Sequence, residues 1–300
     1  MFSKITSRKT FSTLLVTLMI LMLALTGCGT SQPAQPQAAA TPTPANPDLI
    51  LATTTSTQDS GLLDVLLPEF EKKTGYKVKT VAVGTGAALT MGEKGEADVL
   101  LVHAPSSEKK LVDNQTAINY NLVMHNDFIL VGPANDPAKI KEAKTSMDAY
   151  KAIAASQSTF ISRGDDSGTD KAEKAIWTKA NIKPAGQWYQ ESGTGMGQTL
   201  TIASDKGAYT FTDRATYLST QKNLKLEILF QGDASLLNIY HVMQVNPEKF
   251  PKVNADGAKA FVDFMVAPDT QKIISDFGKD KFGQSLFFPD AGKKMEDLGK

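Results

Sequence analysis

The chain of 300 residues has one cysteine, Cys28, and that scarcity excludes an intramolecular disulfide framework. Its three histidines, His103, His125 and His241, are far apart and lack metal-ligand spacing. No apolar run reaches the ~20 residues that span a bilayer comfortably; the stretch from Leu14 to Leu25 is shorter. Neither sign of charge dominates, with 32 basic against 32 acidic residues and no strong basic run. Nucleic-acid binding is therefore disfavoured. There is also no Ser-His-Asp order, no paired catalytic carboxylates and no Gly-x-Ser-x-Gly elbow. The sequence offers hydrogen-bond donors without an evident nucleophile or base.

What is present begins with targeting. Lys4, Arg8 and Lys9 form a positive n-region ahead of the short apolar run, as in a secretory signal. The run ends in Leu25-Thr26-Gly27-Cys28, which resembles the lipobox of bacterial lipoproteins. Residues 1–27 are thus expected to be removed and Cys28 lipidated, which changes "spanning" to "anchored". Residues 28–47 contain several prolines and few bulky side chains, and read as a tether. Loss of the signal leaves 29 basic against 32 acidic residues. An anionic ligand would need local donors, because the global field does not attract it.

From Asp48 onward, short strands alternate with helical patterns. Leu49 to Ala52 reads as a strand, and Leu62, Leu63, Leu66, Leu67 and Phe70 recur at helical spacing up to Gly75. Pro68 implies a kink or restart within that helix. Val78, Val81 and Val83 mark a second strand, 87–94 a short helix and 97–102 a third strand. That order implies a parallel sheet with right-handed crossovers. A second α/β unit follows the extended segment 126–133, and strands at 226–230 and 239–245 return towards the first. The expected fold is a two-lobe α/β architecture, each lobe a mainly parallel sheet flanked by helices. Lobe 1 would comprise 48–130 with 236–300 and lobe 2 would comprise 131–235, with a hinge at the two crossings. Trp177 and Trp188 suit packing positions.

Three loops sit just after a strand and before a helix: Thr53 to Thr57, Gly84 to Gly86, and Ser162 to Thr169. This is the carboxyl edge of an open sheet, where ligands bind and helix starts present unpaired N–H groups. Ser56-x-x-Asp59 and Ser167-x-x-Asp170 also fit capping boxes, so each loop alone reads equally as a helix start. Together, with Arg163 in the third, they point to an anion site. Asp165 or Asp166 would orient the Arg163 guanidinium. Arg214 would pair with Asp213 or Asp205, or meet the anion from the second lobe. His103 ends the third strand at the cleft mouth, as a donor or as a satisfied structural residue.

These residues resemble the type II solute-binding proteins of ABC importers, and within them the tungstate-binding family. The marks are Thr53-Thr54-Thr55-Ser56-Thr57-x-Asp59-Ser60-Gly61, Asp98 to Pro105, Ser162-Arg163-Gly164-Asp165-x-Ser167-Gly168-Thr169, and Ala208 to Arg214. Asp170 departs from many relatives. The resemblance implies ligand contacts from Thr54, Thr55, Ser56, Thr85, Arg163, Ser167, Gly168 and Thr169. It also implies a permease and an ATPase subunit as partners, no cofactor, no catalysis, and a monomer.

Tungstate near neutral pH is a dianion with no proton to give, so its site should hold donors. Phosphate keeps a proton and gains from a carboxylate acceptor. His103 stands where such a carboxylate would sit, which favours a fully deprotonated oxoanion. Molybdate, or a broader set including phosphate and sulfate, is the alternative ligand. An anchored hydrolase using Ser56 or Ser167 is the reading from another class.

Overall fold

The computed structural model describes residues 43–298; the positive n-region, the apolar run and Cys28 lie outside the described residues. The chain enters through β1 (Asp48–Thr54), α1 (Thr55–Asp59), α2 (Leu62–Thr74), β2 (Lys77–Val83), α3 (Thr85–Glu93), β3 (Val99–Val102) and α4 (Pro105–Asp113). The long β4 (Ala117–Pro133) leads to α5 (Ser146–Ser156), β5 (Phe160–Ser162), α6 (Gly168–Lys179), β6 (Tyr189–Glu191), α7 (Met196–Lys206), β7 (Tyr209–Asp213), α8 (Arg214–Thr220) and β8 (Leu226–Phe230). It returns through β9 (Leu237–Val245), α9 (Ala255–Val266) and α10 (Pro268–Asp276).

The strand order β2-β1-β3-β9-β4-β7-β5-β6 falls into two halves that meet at β4. Strands joined by a strand–helix–strand unit pair in parallel, namely β1 with β2 and β3, and β5 with β6 and β7. The crossing strands enter antiparallel: β9 against β3 and β4, and β7 against β4. A segment returning across the molecule must run the opposite way, so each sheet is mixed around a parallel centre. Within β4, Ala117 to Asp127 pairs with β9, whereas Phe128 to Val131 pairs with β7 and Leu130 to Pro133 with β8.

Pro68 neither ends nor restarts α2, which runs unbroken to a left-handed Gly75 whose N–H bonds Glu71 O. Pro68 and Asp64, whose carbonyl loses its helical bond, are both exposed, so water can satisfy that carbonyl. The buried face of Leu62, Leu63, Leu66 and Phe70 holds the helix against Phe261 and Met265 of α9. Each such side chain, fully buried, is worth about 1.5–3 kcal/mol. A second apolar cluster gathers Tyr150, Phe160, Trp177 and Phe211. Trp177 meets Tyr150 at 4.4 Å and Trp188 at 5.8 Å between ring centroids, edge on, which places both tryptophans in packing roles. Among the described residues, no helix is long and apolar enough to cross a membrane.

Candidate anion site

The end of β1 is fixed by Thr53, whose hydroxyl donates to Leu101 O at 2.7 Å. Thr54, extended at φ −104°, caps α1 and accepts the Thr57 N–H through its hydroxyl. The cap of this helix is therefore Thr54 and not Ser56, because the turn closes two residues earlier than the Ser56-x-x-Asp59 spacing implies. The Thr54 hydroxyl also meets the Thr57 hydroxyl at 2.7 Å, and Ser56 Oγ and His103 Nε2 at 3.1 Å each. Ser56 Oγ lies 3.1 Å from the same His103 nitrogen. Thr54 is thus engaged mainly in holding its own turn.

The loop after β5 closes on these residues from the other half. Arg163 is 1% exposed, and its Nη2 donates to Thr55 Oγ1 at 3.0 Å and to Asp165 Oδ2. Asp165 thereby orients the guanidinium, while Asp166 sits at φ 57° and pairs outward with Lys171. Ser167 caps α6 by accepting the Asp170 N–H at 3.1 Å, and Asp170 in turn accepts the Gly164 N–H at 3.0 Å. Thr85, in the first turn of α3, accepts the Gly168 N–H at 2.8 Å. That helix begins two residues earlier than its apolar pattern indicates, since Gly84 in extended conformation serves as its cap. Gly86 N–H donates to Asp166 O at 3.2 Å.

The donors left over define the chemistry. Arg163 Nε and Nη1, Thr169 Oγ1 and His103 Nδ1 are buried and have no hydrogen-bond partner. A buried charged donor without an acceptor costs on the order of 1–3 kcal/mol or more. Two free nitrogens of a cation, with three N–H groups between them, therefore call for an acceptor, and the strand-to-helix turns around it add further N–H groups. Burial, then the Arg163 charge, pulls His103 down to about 3, so its ring is neutral.

Further contacts join the two halves in roles the sequence reading did not assign. Gly195 caps α7, and the Met196 N–H of that helix points at Thr55 Oγ1 from 3.4 Å. Asp59 accepts the Gly197 N–H at 3.0 Å. Asp213 caps α8 by accepting the Thr216 N–H at 2.8 Å, and the Thr216 hydroxyl donates to Ser56 O at 3.2 Å. The signal was present in Gly193-Thr194-Gly195-Met196-Gly197, another glycine-rich strand-to-helix turn. Arg214 pairs with neither Asp213 nor Asp205. Its Nε and Nη2 hold both oxygens of Asp127 at 2.8 and 2.5 Å, clamping α8 onto β4. Arg163 thus keeps two unpartnered nitrogens, whereas Arg214 turns Nε and Nη2 to a carboxylate.

Ser56 beside His103 superficially suggests a hydrolytic pair. A general base works best with a pKa near the operating pH, and His103 is held at about 3 with its Nδ1 unpartnered. The pair lacks both a competent base and a carboxylate to orient it. A surface cavity of about 790 Å³ lies elsewhere, between α2 and α10, where Lys73 and Asp269 pair with each other and Lys272 pairs with Asp276.

A family model described as a PBP superfamily domain matches residues 32–269. The chain is 49% identical over 287 residues to the tungstate-binding protein TupA of Peptoclostridium acidaminophilum, covering 95% of this chain and 100% of that relative. It is 51% identical to the crystal structure of the tungstate ABC transporter from Geobacter sulfurreducens, with a TM-score of 0.72 over 77% of this chain and 98% of that one. The tungstate binding protein TupA from Desulfovibrio alaskensis G20 is 46% identical, with a TM-score of 0.67 over 82% of this chain and 99% of that one. These relatives are named for binding and transport, not catalysis, and the superfamily match accords with the two-lobe type II fold. The chain belongs to the PBP superfamily and, within it, to the family of tungstate-binding proteins of ABC transporters.

Proposed function

We infer that this protein captures tungstate between two lobes and hands it to an ABC permease, whose ATPase subunit drives import. The observation that carries this reading is the buried Arg163, which spends Nη2 on Thr55 and Asp165 and keeps Nε and Nη1 free. Thr55, Ser56, Thr85, Ser167, Gly168 and Thr169 supply the surrounding hydroxyl and backbone donors, and Thr54 shapes the first turn. The binding protein performs no chemistry and needs no cofactor. Lobe 1 comprises 48–130 with 236–300 and lobe 2 comprises 131–235; the switch of β4 from β9 to β7 after Asp127 marks one hinge crossing. The hydrogen bonds that Thr55, Asp59 and Thr85 accept from α6, α7 and Arg163 belong to the closed state. The protein acts outside the cytoplasm as a monomer, tethered through a lipidated Cys28.

Calorimetry with tungstate, molybdate, sulfate and phosphate tests the assignment. Tungstate should bind most tightly, because a donor-lined pocket with a neutral His103 favours an anion that carries no proton. Equal affinity for molybdate would replace tungstate by the wider oxoanion class. Phosphate binding ahead of both would overturn the deprotonated-anion reading.

A further inference from the structure

The charge balance around Arg163 is unfavourable for a dianion as it stands. The guanidinium faces Asp165, its direct partner, together with Asp59 and Asp213, both of which feel its charge. The neighbouring cations are committed elsewhere, Arg214 to Asp127 and Lys171 to Asp166. Adding two negative charges beside three carboxylates against one cation is costly unless one gives up its charge, and the cost falls hardest on Asp213, which is buried, whereas Asp165 is half-buried and Asp59 exposed to water.

Geometry selects which one. Asp165 is ion-paired, and Asp59 accepts the Gly197 N–H. Asp213 is completely buried; its Oδ1 accepts the Thr216 N–H and an Asn126 N–H, and its Oδ2 has no partner at all. An ionised oxygen with no donor, shut away from water, is the cheapest of the three to neutralise. Resting on the oxoanion reading above, we propose that closure around the anion places a proton from solvent on Asp213 Oδ2. Capture is then proton-linked, and Asp213 sets the pH range over which the site holds a dianion.

The surrounding groups agree. Burial first, then Asp59, raises the Asp213 carboxyl, while its backbone bond to Thr216 and the Arg163 charge pull the other way, leaving it at about 6. A dianion beside Arg163 offsets the guanidinium's pull and moves the carboxyl higher. On β9, Tyr240 is held far above its ordinary value and stays protonated; at the end of β3, His103 stays neutral. Neither competes for the proton near neutrality. A carboxyl that binds protons more tightly in the complex than in the free protein makes affinity highest at low pH. Affinity is then lost as pH rises through the complex's value.

The test is calorimetry of tungstate binding to the purified protein in buffers of different ionisation enthalpy, from about pH 6.5 to about pH 8.5, where one linked proton changes affinity at most about tenfold per pH unit. The expected result is net proton uptake and weaker binding at the alkaline end, with both effects abolished in Asp213→Asn. Wild-type binding without proton uptake, or undiminished uptake in Asp213→Asn, would overturn the proposal. If that variant does not fold, infrared difference spectra of the wild type decide, since a protonated-carboxyl C=O band must appear when tungstate is added, and its absence refutes the idea. Binding of molybdate in place of tungstate overturns only the choice of anion, and the proton count is then read with molybdate. Failure to bind any oxoanion removes the functional reading and this proposal with it.

Discussion

Arg163 shows how one side chain can be both locked and unfinished. Its Nη2 is held by Asp165 within the same loop, which orients the guanidinium before any ligand arrives, and by Thr55 once the halves close. The two remaining nitrogens, Nε and Nη1, are buried and unmatched, and charge-assisted hydrogen bonds contribute about 1.5–3 kcal/mol each. Arg163→Gln should therefore weaken oxoanion binding by about a hundredfold or more in calorimetry. Arg163→Lys should recover little of that loss, because a point charge cannot serve Thr55, Asp165 and an anion in one plane. Unchanged affinity in the Gln variant would remove the residue from the site. Arg163 was legible in the sequence because no other arginine sits in a glycine- and hydroxyl-rich turn. The Asp127 partner of Arg214 was not, since the two lie far apart in the chain and only the β4–β7 pairing brings them together.

At the scale of elements, strand-to-helix turns from both halves are pressed into one seam, and glycines allow the approach. A Cβ on Gly168 would lie 2.8 Å from the His103 ring and 3.0 Å from its backbone oxygen, neither of which can move freely. A Cβ on Gly86 would meet chiefly the Asp166 carboxylate, which is exposed and can swing away. Gly168→Ala should accordingly reduce the rise in melting temperature that tungstate produces, and by more than Gly86→Ala does. The opposite ranking in a thermal-shift assay would contradict the seam. Strands β1, β2 and β3 were readable because their apolar pattern is clean. The first half of β4 was not, since Asn119-Tyr120-Asn121 breaks the alternation and Asn119 sits at φ 52°. Only pairing with β9 makes that stretch a strand, with irregular register between Ile118 and Asn121. The glycine-rich stretch from Ser192 to Gly197 was legible but not its place at the site, because β6 before it spans only Tyr189–Glu191, too short to mark a strand-to-helix turn.

For the whole molecule, the proposed function makes ligand and closure two descriptions of one equilibrium. An anion that binds only the closed form stabilises it, by about 2.7 kcal/mol at a hundredfold excess over its dissociation constant. Small-angle scattering should show a smaller radius of gyration with tungstate than without it, and equal radii would mean that the lobes do not open in solution. The part of the molecule that must tolerate this motion is β4, a 17-residue ribbon stitched to β9 on one side of the joint and to β7 and β8 on the other. A ribbon secured along both edges can twist but cannot easily stretch or wander. In the proposed closure the two halves would thereby swing like a door on a torsion bar, and the shut form would present the same two rims each time.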